Sequence, residues 1–423
     1  MKQLLATISV FTLLVQPAFA SMDDIKDQLY DSTGFDLGGF VEARYGMRTR
    51  NDPHQKDESI SEVRLQMDLS KDFDWGVLKL KGDLFHDEVT FETGGDLREF
   101  NLLFSPLDNM DVKVGQQILT WGTGDMLFVN DLFPKDWQSF FIGRDDEYLK
   151  APANAVKTSL FYDAVNIDFV YTPTFEASDY VSGERLSYWN PLTGTLGGQD
   201  SQFGLEKRNS TGRDSEFSLR LFKNIGSTEV ALYGYHGFWK TPEGMTTDYR
   251  LRYPRLSVYG GSLRSQLLGG IGSVETGYYD SRQSDNGNDP LTRNDEVRFM
   301  AGFEREVGVE LTASVQYYLE WMQDYANYED SLTAGGIKKD EYRSVLTLRL
   351  TKLMLNQNLT LSFFAFYSPT DNDAYLRPKA QYKVTDNWRA EIGGNVFLGQ
   401  KQSTFFGQFE NNSNVYTGLR YNY

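Results

Sequence analysis

Residues 310–321 place Leu311, Ala313, Val315, Tyr317, Leu319 and Trp321 on one face of an extended chain. Glu310, Thr312, Ser314, Gln316, Tyr318 and Glu320 fall on the other. Alternation with period 2 marks a β-strand whose faces meet different solvents. An unbroken run of this kind is longer than the usual soluble strand of about 5–6 residues. It matches the roughly 9–11 tilted residues that carry a strand across a bilayer.

The pattern recurs from Phe35 onward. Val63, Leu65, Met67 and Leu69 alternate with Glu62, Arg64, Gln66 and Asp68, and Val297, Phe299, Ala301 and Phe303 with Glu296, Arg298 and Glu304. Pro378 weakens one such run, because it withdraws a ladder donor. The spacing predicts strands centred near Val41, Leu65, Leu80, Leu102, Val114, Thr158, Ile167, Leu219 and Leu232. Further centres fall near Val258, Thr276, Phe299, Val315, Leu348, Leu361, Ala380, Ile392 and Leu419. Short connections (105–109, 223–226, 385–387) alternate with long ones (120–154, 172–213, 322–340). An up-and-down transmembrane barrel segregates its turns and loops in this way. The expected fold is therefore an all-β, up-and-down antiparallel transmembrane β-barrel of about 18 strands, with about 16 as the alternative.

Composition agrees. The 423 residues contain no cysteine, so no disulfide can hold the chain. Mean hydropathy is -0.48, and 25 Tyr and 29 Phe stand against 12 Pro. Aromatic wealth in a polar chain suits a barrel with aromatic girdles. Net charge of -17 argues against a nucleic-acid partner.

Lys2, an apolar stretch over 4–15 and Ala18, Phe19 and Ala20 have the three parts of a secretory signal peptide. The expected division is a signal peptide over 1–20, a short periplasmic lead-in over 21–34 with one or two helical turns, and the barrel over 35–423.

The chain ends on Tyr416, Thr417, Gly418, Leu419, Arg420, Tyr421, Asn422 and Tyr423. This stretch resembles the terminal strand of bacterial outer-membrane proteins, the match falling on Tyr416, Gly418, Tyr421 and Tyr423. The resemblance implies recognition by the barrel-assembly machinery. Terminal Tyr stands where Phe is commoner. Gly115, Gln116 and Gln117, running on to Trp121 and Gly122, resemble the strand that launches a constricting loop in alginate-export and phosphate-selective porins. Gln116 stands where those families often carry arginine, a departure from their anion-binding pattern.

The loop that follows carries Asp125, Asp131, Lys135, Asp136, Arg144, Asp145, Asp146, Glu147 and Lys150, interleaved with Phe128, Phe133, Trp137, Phe140, Phe141 and Tyr148. So many aromatics on an exposed loop would invite aggregation. The loop is expected to fold inward and narrow the pore, the alternative being an extracellular cap. Its acidic and basic candidates are Asp125, Asp131, Asp136, Arg144, Asp145, Asp146 and Glu147. Basic residues on the inner face gather late, at Arg349, Arg377, Lys379, Lys383, Arg389 and Arg420. Opposed to the loop across an aperture, they would set up a transverse field. Paired with Glu391 and other carboxylates, they would simply fill the interior.

No local motif sets His54, His86 or His236 beside a nucleophile, and no Cys/His metal spacing occurs, so neither an enzyme nor a cofactor is expected. The partners implied are outer-membrane lipid, the assembly machinery and a small solute; a homo-oligomer stays open. Passive diffusion of small solutes is the first functional expectation. The alternatives are a conduit for hydrophobic molecules, an outer-membrane partner of an inner-membrane export pump, and a surface-binding or structural barrel.

Overall fold

The computed structural model describes residues 22–206, 208, 211–332 and 337–423. The expected signal peptide lies outside these residues. Strands β1 (Asp36–Arg48), β2 (Glu58–Phe73), β3 (Gly76–Asp87), β4 (Glu92–Leu107), β5 (Met110–Ile118) and β6 (Pro152–Phe161) begin the sheet. It continues through β7 (Asn166–Thr172), β8 (Glu216–Ile225), β9 (Thr228–Phe238), β10 (Arg255–Leu267), β11 (Gly270–Ser281) and β12 (Glu296–Gly308). Last come β13 (Leu311–Met322), β14 (Tyr342–Met354), β15 (Leu359–Ser368), β16 (Asp373–Lys383), β17 (Trp388–Gly399) and β18 (Asn414–Asn422).

The 18 strands form one antiparallel sheet, and β18 pairs back onto β1 from Phe40↔Asn422 to Arg48↔Asn414. The sheet is a closed barrel of 18 strands, without a free edge. Every expected strand centre lies inside a strand. Two details differ. Glu310 belongs to the turn before β13, with φ +52°, so the strand begins at Leu311. At Pro378 the pairing with β15 continues, but the β17 ladder skips Arg377 and Pro378, where proline has no N–H to give.

Outward side chains are apolar and face lipid. Leu232, Leu263, Val315, Ile392 and Val415 are each at least half exposed. A charge there would cost about 2–4 kcal/mol at mid-membrane. Aromatics mark both ends of this belt. Phe73 stacks on Trp75 at 5.5 Å, and Trp388 tilts against Tyr421 at 5.0 Å, on the side of the short turns. Trp321 stacks on Tyr342 at 5.7 Å on the side of the long loops. Such rings sit at membrane interfaces. No helix among the described residues is long and apolar enough to cross a membrane.

The closing seam has its own device. Gly39 on β1 has φ +155°, and a side-chain carbon there would stand 2.1 Å from the Gln66 carbonyl. Tyr423 covers this gap and its hydroxyl donates to the Gln66 carbonyl at 2.8 Å, linking the chain end to β2. Ahead of β1, helix α1 (Met22–Thr33) is longer than the expected turn or two. Asp23 and Asp24 sit favourably in its first turn, and Gly34 (φ +73°) ends it by donating N–H to the Tyr30 carbonyl at 2.7 Å.

Nine loops, L1 to L9 in chain order, join the strands at one end, and eight turns join them at the other. L3 spans 119–151, L4 173–215, L5 239–254, L6 282–295, L8 369–372 and L9 400–413.

Candidate functional site

L3 folds into the barrel and follows its inner wall. Just after β5, Glu275 on β11 holds the first limb. Its carboxylate accepts the N–H groups of Thr123 and Asn130, both at 2.7 Å. Gly122 makes the approach possible, because a side-chain carbon there would lie 2.8 Å from that carboxylate. Asp125 then meets Arg349 on β14, and Tyr279 on β11 donates its hydroxyl to the Val129 carbonyl at 2.5 Å.

The middle of the loop is helix α2 (Trp137–Ile142). Asp136 caps it by accepting the Ser139 N–H at 2.7 Å, and Gly143 ends it in the left-handed region at φ +92°. The helix drives Phe140 and Phe141 into an aromatic cluster of the wall. Phe140 lies edge-on to Tyr375 on β16 at 5.6 Å, and Phe141 meets Phe397 on β17 at 5.6 Å and Phe409 in L9 at 4.8 Å. Both rings are almost wholly buried.

The last limb is held by charge. Arg144 donates to Glu62 on β2 at 2.5 Å, Arg377 on β16 to Asp146 at 2.8 Å, and Lys81 on β3 to Glu147 at 3.2 Å. Arg420 on β18 lies 3.4 Å from Asp145 and 3.9 Å from Glu147, and Lys379 lies 4.0 Å from Asp146. The Tyr148 ring is packed between Arg64 (4.7 Å) and Arg98 (4.5 Å). Burial works to raise the carboxyl pKa values of Asp145 and Asp146. The cations outweigh it: Arg420 and Lys379 hold Asp145 below the usual range, and Arg377 and Lys379 do the same for Asp146.

The expected acidic loop and basic wall are therefore joined, not opposed across an aperture. Direct pairing wins because unpaired buried charge is costly and the partners lie within reach. Two of the expected loop carboxylates turn inward within L3: Asp131 accepts from Lys135 at 2.9 Å, and Asp136 serves as the cap. Burial pushes the Lys135 ammonium pKa down despite that partner. Lys383 pairs with Asp386 in a turn at 2.8 Å, away from the loop cluster, and Arg389 stands opposite Arg420 in the ladder.

Sequence reasoning gave no site role to Glu42, Arg44, Glu62, Arg64 and Asp83, which make this wall a mosaic. Glu42 accepts from Arg44 at 2.6 Å and from Arg420 at 2.7 Å, and Arg44 also donates to Glu391 at 2.8 Å. Arg64 donates to Glu62 at 2.9 Å and to Asp83 at 2.8 Å. In register, Glu42 stands opposite Arg64 and Arg44 opposite Glu62. The signal was opposite charges two residues apart on one strand, which share a face. Glu275 had no such partner in its strand to draw notice.

Above L3, towards the long loops, lies a cavity of 420 Å³. Phe128 and Trp137 of L3, Tyr180 and Val181 of L4, and Phe405 of L9 contribute to its lining, and charged side chains stand among them. No group of three or more His, Cys, Asp or Glu among the described residues could hold a metal ion.

This architecture defines a porin-like transmembrane β-barrel, and such closed barrels with an apolar belt reside in the outer membrane. Solved structures share the fold. OccAB3 of Acinetobacter baumannii is similar at 9% identity, over 92% of this chain and 99% of its own, with a TM-score of 0.57. OccD3 (OpdP) of Pseudomonas aeruginosa is similar at 10% identity, over 92% of this chain and 91% of its own, with a TM-score of 0.52. OccK11 (OpdR) of the same organism is similar at 9% identity, over 92% and 96%, with a TM-score of 0.51. No family model matches the chain, and no curated protein matches its sequence.

Proposed function

We propose that the protein is a porin-like channel for passive diffusion of small hydrophilic solutes across the outer membrane, with L3 as its constriction. One observation carries this reading: L3 lies within the barrel and is tied by ion pairs to β14, β16, β18, β2 and β3. A barrel of this strand number encloses an aqueous lumen, and a loop docked against the wall narrows it without a plug domain. Asp125, Arg144, Asp145, Asp146 and Glu147, with Arg349, Arg377, Lys379 and Arg420, form the polar rim that a solute meets. Because these charges are paired, the rim selects by size and hydrogen bonding more than by charge sign.

In this reading residues 1–20 direct export and are removed, the assembly machinery reads Tyr416, Gly418, Tyr421 and Tyr423, and the barrel performs no catalysis. Planar-bilayer recording of the refolded chain tests the channel: stepwise conductance is expected, and a silent bilayer ends the proposal. The aromatic cavity favours a second reading, a conduit for hydrophobic molecules. Liposome swelling with sugars, set against lipid extraction, separates the two.

A further inference from the structure

We propose that the cavity above L3 is a binding site for an uncharged, planar aromatic solute. The inference rests on the channel reading, because the cavity lies within the mouth through which a solute would pass.

Size comes first. At 420 Å³ the cavity falls within the range of small-molecule pockets, about 300–1,000 Å³. Its walls come next. Phe128 and Trp137 meet edge to face at 6.0 Å, and both are only half-buried, whereas Phe140 and Phe141 behind them are closed off. Tyr180 and Val181 are likewise half-buried, and Phe405 is 45% exposed. Apolar surface left open on several loops within a wet lumen is what a flat apolar solute would cover.

Charge decides the rest. Lys135 is paired with Asp131 at 2.9 Å, Lys240 with Glu216 at 2.6 Å, and Arg293 with Glu243 at 3.0 Å. Arg298 is paired with Glu296 at 2.9 Å and Arg343 with Asp371 at 2.8 Å. The guanidinium groups also occupy aromatic faces: Arg298 lies 4.0 Å over Tyr279, Arg293 4.9 Å over Trp239, and Arg343 5.0 Å over Phe405. An anion would compete with carboxylates already in place, and a cation would find Phe405 already faced by Arg343 and Phe128 by Lys135, 4.7 Å away. A neutral ring disturbs neither set.

Indole, indole-3-carboxylate and tryptamine present one ring system as neutral, anionic and cationic probes. Added to the mature chain in planar bilayers, indole should block the current saturably. Its half-blocking concentration should be about ten-fold below that of either charged analogue. Trp137→Ala and Val181→Asp, on separate loops, should each raise it by about ten-fold. Equal or stronger block by a charged analogue overturns the proposal, as does block that neither variant alters. The channel reading fails separately. Saturable calorimetric indole binding to a barrel without conductance steps would retain the site and remove the channel, whereas conductance insensitive to indole would do the reverse.

Discussion

Arg349 on β14 and Asp125 on L3, 224 positions apart in sequence, form a two-pronged ion pair, Nε to Oδ2 at 2.5 Å and Nη2 to Oδ1 at 2.8 Å. The pair pins the first limb of L3 to the far side of the barrel from the strands that launch it. Both side chains stay partly open to water, so the contact is worth about 1 kcal/mol or less. Arg349→Ala should leave the barrel intact and let this limb leave the wall. Single-channel traces should become noisier, with a modestly changed mean conductance. Traces identical to the native ones would show that the pair does not position the loop.

Phe141 anchors the middle of the loop in a cluster with Tyr375, Phe397 and Phe409. Truncating a ring buried to this degree costs about 3–5 kcal/mol. Phe141→Ala should therefore undock α2 while the hydrogen-bonded strands persist. Trypsin should cut at Lys135, Arg144 or Lys150 in the variant and spare them in the native protein, and the heat-dependent gel shift of the barrel should remain. Continued protection of all three sites would contradict the anchoring role.

Arg64 is 1% exposed, bonded to Glu62 and Asp83 and packed against Phe85 and Tyr148. Removing one partner of a buried charge network costs about 3–5 kcal/mol, because the carboxylates lose their counter-charge. Arg64→Ala should lower the temperature at which the barrel band shifts on a gel. Arg64→Lys should restore little, since a compact ammonium lacks the planar fork that reaches Glu62 and Asp83 while lying against the Phe85 and Tyr148 rings. Full rescue by lysine would mean that net charge alone matters.

The pH response follows from Asp145 and Asp146, whose pKa values lie below the ordinary carboxylate range in the folded protein. Groups of this kind contribute stability in full above their unfolded values of about 3.9. That contribution is lost as pH falls through the lowered folded values. Conductance should thus be flat from neutral pH to about pH 5 and change below about pH 4 as the last limb of L3 loosens. Asp146→Asn should reproduce part of the acid phenotype at neutral pH. A transition centred near pH 6 would point to other groups.

Much of the fold was open to reading because lipid imposes a rule on each residue in turn. Val315 and Tyr317 must face out and Ser314 and Gln316 in, so the order of polarity along β13 is the order of its faces. Glu310 misled because its polarity continued the pattern into a turn where φ is positive. The site was half legible. That the aromatic loop would bury its rings followed from its composition, whereas its place inside the barrel rather than as a cap, and its points of attachment, did not. Asp131 and Asp136 have the same side chain as Asp125 and Asp146, yet two are spent within L3 and two on the wall.

Local alternation, turn chemistry and the cost of placing charge in lipid are properties of neighbouring residues. They determined the strands and which face of each meets fat, while closure of the sheet decided between 18 and 16. Whether Glu275 would grip L3, whether Arg377 would find Asp146 before Glu391, and where a cavity would be left over depended on distances across the closed cylinder. Ion pairing falls off within a few ångströms, and only closure of the barrel brings residues hundreds of positions apart within that range.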